Sequence, residues 1–224
     1  MCFSANASFV TATGLSIISL LSLQKTRTKK MIPLAISPLF FALQQSCEGI
    51  VWLTLNASDT TSLLHKMGTY GFLFFAAFWW PMWIPLALYI SEKVHSRKKL
   101  LLATTSIGLC GGILLFISWV FYTTGAIIIN HHIDYPVSNY PFGITNTFIG
   151  QSISWIIAIA YCIATITPFF ISSLPYAWIL GIAISLGLIT SYLFYLMALP
   201  SVWCFFAAIS SVLIYFVIKA ETKK

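Results

Sequence analysis

The sequence predicts an all-α fold: an integral membrane seven-helix bundle, with the amino end outside and the carboxyl end cytoplasmic. Three observations predict it. The 224 residues are 59% hydrophobic and 8% charged, with a mean hydropathy of +0.91, against roughly 45–50% apolar and about 25% charged in a soluble domain. Seven apolar stretches are each long enough to cross about 30 Å of hydrocarbon. The basic residues gather in alternate breaks between those stretches. A water-soluble fold of this size has too little interior to hide so much apolar surface. The composition therefore excludes a soluble enzyme, a disordered tail and a nucleic-acid-binding module. The net charge of +7 bears on membrane orientation, not on nucleic acid.

The stretches run over residues 7–24, 32–55, 69–91, 100–123, 145–167, 174–196 and 201–219, so a single transmembrane domain takes up residues 1–224. Backbone groups in lipid must pair internally, which admits helices or closed barrels. Barrel strands alternate polar and apolar residues. The run Gly71-Phe-Leu-Phe-Phe-Ala-Ala-Phe-Trp-Trp80 does not alternate, and helices follow. The first stretch has no charge before it and a basic cluster after it, the reverse of a cleavable signal peptide. Lys25, Arg27, Lys29 and Lys30 separate the first two spans. Lys93, Arg97, Lys98 and Lys99 separate the third and fourth, and Lys219, Lys223 and Lys224 follow the seventh. With an odd number of spans and the amino end outside, eleven of the twelve Lys and Arg lie in the cytoplasm, as the positive-inside rule requires. Lys66 is the exception.

Small residues let helices approach in lipid. Thr104, Gly108 and Gly112 share one face of the fourth span; Ser8, Ala12, Ser16 and Ser19 offer a seam on the first, and Gly181 and Ser185 on the sixth. Pro81 and Pro85 in the third span remove backbone donors and favour kinks. Trp79, Trp80 and Trp83 surround them, as bulky packing, a cavity wall or an aromatic cage for a cation. Gln45-Ser46 recurs as Gln151-Ser152, but two dipeptides establish no repeat.

Of the acids Glu48, Asp59, Glu92, Asp134 and Glu221, only Glu48 sits well inside a span. Gln44, Glu48 and Trp52 are four apart and stack on one helix face. A carboxyl in hydrocarbon is costly, faces the bundle interior and marks a functional site by default. Gln44 and Gln45 can donate or accept toward it. Two readings stay open. Glu48 is a proton-titrating or ligand-binding group, with Trp52, Trp79, Trp80, Trp83 and Gln151 around it, or it is a structural acid paired with Gln151 or Ser154 of the fifth span.

The topology gathers Cys2, Cys47, Glu48 and Cys204 at the outer side, with His131, His132 and Asp134 in the longest loop. The loop residues read as a gate, or as an interfacial lip held by Tyr and Pro. Cys2, Cys47 and Cys204 are disulfide candidates on an oxidising face, or buried free thiols that pack as small hydrophobes. Cys2, His131 and His132 are metal-ligand types, yet no pair has metal-motif spacing, and no metal or cofactor is assigned. Asn6-Ala-Ser8 and Asn56-Ala-Ser58 match glycosylation sequons by chance-level motifs. The last span lacks a buried lysine for retinal, and no deep His is present for haem or for ceramidase-like zinc.

The opening Met1-Cys-Phe-Ser-Ala5 with Ala7-Ser8-Phe9, then Pro33-Leu34, Pro38-Leu39-Phe40, Ala42-Leu-Gln-Gln45, Glu48-Gly-Ile-Val-Trp52 and Trp83-Ile-Pro85-Leu, resembles a family of bacterial multi-pass membrane proteins that begin MCFS. The resemblance covers about the first 90 residues. It implies a bacterial plasma-membrane protein, points at Cys2 and Glu48, and supplies no reaction. The expected function is binding or transport of a small solute or proton through an outer-facing polar pocket around Glu48. A membrane-embedded metal-dependent enzyme and a non-catalytic sensor or assembly subunit are the alternatives. The expected partners are the lipid bilayer and a small solute, with anionic lipids or a protein at the basic loops.

Overall fold

The computed structural model describes residues 4–123, 125–129, 131–136 and 148–222. Among these, seven helical spans are long and apolar enough to cross a membrane. The first is α1 (Ala5–Lys25), begun by Ser4, whose side chain accepts from the Ala7 N–H, as an N-cap does. A 3-10 turn (Lys29–Met31) and a short α2 (Ile32–Ala35) lead into α3 (Ser37–Asn56). Pro33 and Pro38 sit in the first turns of α2 and α3, where a missing N–H costs little. The third span joins α4 (Leu63–Leu73), a widened π-type turn (Phe74–Trp79) and α5 (Trp80–Ser91). Then come α6 (His95–Tyr122), α7 (Phe148–Ile171) and α8 (Ala177–Phe194). After a 3-10 turn (Leu196–Ala198), α9 (Leu199–Ser210) and α10 (Leu213–Glu221) form the seventh.

The number and order of spans match the sequence expectation, and the boundaries move for local reasons. The third begins at Leu63, not 69, because Ser62 Oγ accepts from the His65 N–H at 3.2 Å. That first turn carries His65 and Lys66, too polar for an apolar stretch. The fourth begins at His95, inside the basic cluster. The seventh breaks at Ser211, whose N–H turns back to Ala207 and Ala208 and whose hydroxyl donates to Ala208 O at 2.6 Å.

The purely α-helical expectation needs one correction. β1 (Ile127–Ile129) and β2 (His132–Asp134) form an antiparallel hairpin with Ile128 opposite Ile133. The β-branched isoleucines favour extended backbone. His131 takes the left-handed φ of 62° that a tight hairpin turn calls for. Ile133 is fully buried, and Tyr135 stacks on Phe72 of α4 at 4.7 Å. Part of the longest loop is thus a folded element packed on α9 at one end of the bundle.

The basic residues meet at the other end. Ser91 Oγ donates to Lys30 O at 2.9 Å, and Lys93 Nζ pairs with Glu221 at 2.5 Å. Inside the spans, Ser8, Ser19, Gln44, Gln45 and Glu48 are buried, while Val10, Ile17, Leu20, Ile159 and Leu186 are exposed. The core itself is mostly apolar with these polar groups set in it, and it is the apolar exterior that reverses the pattern of a soluble protein.

The third span shows what its prolines do. Pro81 has no N–H. The turn before it widens, so that the Trp80 N–H reaches Phe75 O, five residues back, a π-bulge. The next such donor, to Ala76 O, would be Pro81. Tyr161 of α7 fills that gap by donating its hydroxyl to Ala76 O at 2.5 Å. Pro85 likewise takes the helical donor from Pro81 O, and this carbonyl faces Gly108 of α6 so closely that a Cβ there would lie 1.7 Å from it. Gly112, one turn on, lies against Phe78. The seam read from Thr104, Gly108 and Gly112 is therefore the contact between α5 and α6. Tyr161→Phe is expected to cost about 1–3 kcal/mol by orphaning Ala76 O. Thermal unfolding in detergent measures it, and an unchanged midpoint would show that the carbonyl finds another donor.

Candidate functional site

The α3 helix turns Gln44, Gln45 and Glu48 inward, and all three have no exposed surface. Ser201 of α9 donates its hydroxyl to Glu48 Oε1. Gln45 Nε2 donates to Glu48 Oε2 at 3.3 Å. The Trp80 indole donates to Gln44 Oε1 at 2.6 Å, and its ring stacks on Phe41 with centroids 3.6 Å apart. Cys204, one turn beyond Ser201, lies beside Gln44 and Glu48. The described donors to the carboxyl are thus both neutral.

Three buried polar atoms close to the acid in the helix lack a hydrogen-bond partner among the described residues: Gln44 Nε2, Gln45 Oε1 and Trp52 Nε1. Each such orphan costs about 1–3 kcal/mol, so their concentration on two turns of one helix calls for a reason. Next to the cluster is a cavity of about 30 Å³ bordered by Trp80, Tyr161, Thr165, Trp203 and Cys204, enough for about one water. Glu48 itself is sealed by packed side chains and does not border it.

The three tryptophans separate. Trp80 faces the site, whereas Trp79 and Trp83 stack on each other at 5.1 Å, and Trp83 donates to Ser37 Oγ at 3.0 Å. Trp52 is buried in the cluster under the hairpin with Phe72, Ile133 and Tyr135. His131, His132 and Asp134 lie on the hairpin, with His132 edge-on to Tyr195 at 4.9 Å. Burial pushes the His132 imidazole below and the Asp134 carboxyl above their ordinary values. Cys47 and Cys204 are free thiols; the Cys47 sulfur packs over Gly71 of α4. Among the described residues no three His, Cys, Asp or Glu side chains come together as a metal site. Cys2 and the side chain of Gln151 lie outside the described residues. Ser201 was not foreseen: the expected partners were on the fifth span, and the described hydroxyl on Glu48 comes from the seventh.

A family model described as a family of unknown function (DUF6629) matches residues 1–224. The chain belongs to this family. No curated protein and no solved structure matches it. The DUF6629 match spans the hairpin, α9 and Ser201 as well as the amino-terminal segments on which the sequence resemblance rested. It assigns no activity, so the chemistry must be argued from the cluster around Glu48.

Proposed function

We propose that this is a multi-pass membrane protein, amino end outside in the bacterial plasma membrane, that exchanges a proton at Glu48 in step with a small polar solute. The observation that carries this reading is a fully buried carboxyl held by two neutral donors, with three partnerless polar atoms on the same helix. An acid so placed needs a proton or a cationic partner to be tolerated in hydrocarbon. Trp52 and Gln44 offer donors and Gln45 an acceptor to a solute. The hairpin with His131, His132 and Asp134 stands at the end of the bundle from which such a solute would enter. Seven apolar spans and their exposed apolar side chains support the membrane setting.

The titratable neighbours are Cys204 from α9 and Cys47 from α3 itself, with Tyr161 across the cavity; the amino terminus lies outside the described residues. The test is proton flux into liposomes that hold the purified protein and a trapped pH dye. Glu48→Gln, which keeps size and hydrogen bonding, is expected to slow flux by about two orders of magnitude while the protein remains monodisperse. Equal flux in both proteins would remove Glu48 from the mechanism.

A further inference from the structure

The end of the bundle opposite the hairpin carries a charge that the fold leaves unanswered. Two contacts join its three basic segments into one surface. Ser91 Oγ, at the end of α5, donates to Lys30 O, and Lys93 of the α5–α6 turn pairs with Glu221 of α10. The two carboxylates at this end are both spent. Glu221 is taken by Lys93, the one ion pair among the described residues. Glu92 is buried and accepts from the N–H groups of Lys93, Val94 and Ser173. Lys25, Arg27, Lys29, Lys30, Arg97 and Lys99 are exposed, and no described carboxylate pairs with them. Like charges gathered on one surface repel and attract an opposite charge from outside.

The neighbours of these cations select the partner. Ile32, Val94 and Leu100 are exposed apolar side chains within two residues of Lys30, Lys93 and Lys99. Lys98 Nζ turns over the Tyr89 ring at 5.3 Å, and Lys219 Nζ over the Tyr215 ring at 6.0 Å. Tyrosine marks the level where membrane meets water, and a lysine stem lying along apolar surface keeps its charge at the headgroups. An acidic protein would answer the charge alone. A phospholipid answers both features, with its phosphate on the cations and its chains on the apolar side chains. A zwitterionic headgroup brings its own ammonium and cancels the attraction, whereas a headgroup of net negative charge does not.

We infer that anionic phospholipid binds around this end, with Lys29, Lys30, Arg97 and Lys99 on the headgroup phosphates and Ile32, Val94 and Leu100 against the upper acyl chains. The inference is independent of proton exchange at Glu48. The experiment places the full chain in phosphatidylcholine bilayers with a trace of spin-labelled phosphatidylglycerol or spin-labelled phosphatidylcholine. Electron paramagnetic resonance separates lipid held at the protein from bulk lipid. Phosphatidylglycerol is expected to be preferred by about fivefold at low salt, the worth of about one cation at a membrane surface. The preference should shrink as salt rises. Replacing Lys29, Lys30, Arg97 and Lys99 together by Gln is expected to bring it close to unity. The amount of phosphatidylcholine held should stay unchanged, which reports that the bundle is intact. Lys66→Gln, at the hairpin end, is expected to keep the preference.

Equal holding of the two lipids at low salt overturns the inference and leaves the cations to an acidic protein. A preference undiminished in the fourfold variant overturns this surface, as does an equal loss in Lys66→Gln. Loss of the preference on adding soluble glycerol phosphate would show that the headgroup binds without its chains, and overturns the part given to Ile32, Val94 and Leu100.

Discussion

Gly108→Ala is expected to abolish the stable fold. The added Cβ would lie 1.7 Å from the Pro81 carbonyl oxygen and 2.5 Å from its carbon. Both are backbone atoms and cannot rotate aside, so α5 and α6 must part. Parting them also pulls Gly112 off Phe78 and moves Trp80, the neighbour of Pro81, away from Gln44. Overpacking costs about 1–3 kcal/mol where side chains yield. Here two helices must separate, and the expected cost exceeds about 3 kcal/mol, a large part of a total stability of about 5–15 kcal/mol. Gly111→Ala is the control, because its Cβ would meet Ala160 Cβ at an ordinary 3.7 Å and should change stability by less than about 0.5 kcal/mol. The monodisperse fraction and unfolding midpoint in detergent report the difference. If both variants behave alike, the α5–α6 seam is looser than the geometry requires.

That seam shows what the sequence could and could not disclose. The four-residue spacing of Thr104, Gly108 and Gly112 announces a close approach, but not what approaches. The partner is a carbonyl freed by Pro85, and pairing proline with glycine across helices needs the register between them. The same holds for Tyr161, whose hydroxyl serves a carbonyl 85 positions earlier in the chain. The hairpin escaped because two three-residue strands make too short a pattern between long apolar spans, and only burial of Ile133 and Tyr135 reveals why they fold.

At the site, Glu48 was legible because one acid in an apolar span stands out, and helical spacing placed Gln44 with it. The sorting of the tryptophans was available too. Trp79 and Trp83 are four apart and share a face, while Trp80 points about 100° away. Ser201 was not legible: it is one small polar residue after Pro200 among many serines, 153 positions from the acid it serves. Glu92 was passed over for the opposite reason. It reads as an ordinary acid between two helices, yet it has no exposed surface.

Removing that carboxylate is expected to have the second large effect. Glu92 accepts from the Lys93 N–H at 2.8 Å, the Val94 N–H at 2.9 Å, the Ser173 N–H at 2.7 Å and the Ser173 hydroxyl. It thereby ties the α5–α6 turn to the α7–α8 corner, beside the Lys93–Glu221 pair. Burial alone would push its carboxyl up, but the Ser173 hydroxyl and the three backbone N–H groups outweigh it and hold the group below the ordinary glutamate value of 4.5. Hydrogen bonds to a charged group are each worth about 1.5–3 kcal/mol, so Glu92→Ala, which orphans four donors, is expected to cost at least about 3 kcal/mol. The sign with pH follows from the lowered value. The stabilisation is fully present above the unfolded glutamate value and is lost as pH falls through the lower folded value. The gap in unfolding midpoint between wild type and Glu92→Ala should therefore be wide at neutral pH and close on the acid side, whatever other groups titrate in both proteins. A gap that stays constant down the acid limb would mean that the ionised carboxylate contributes nothing beyond packing, and that the two helical corners are held together by their apolar contacts alone.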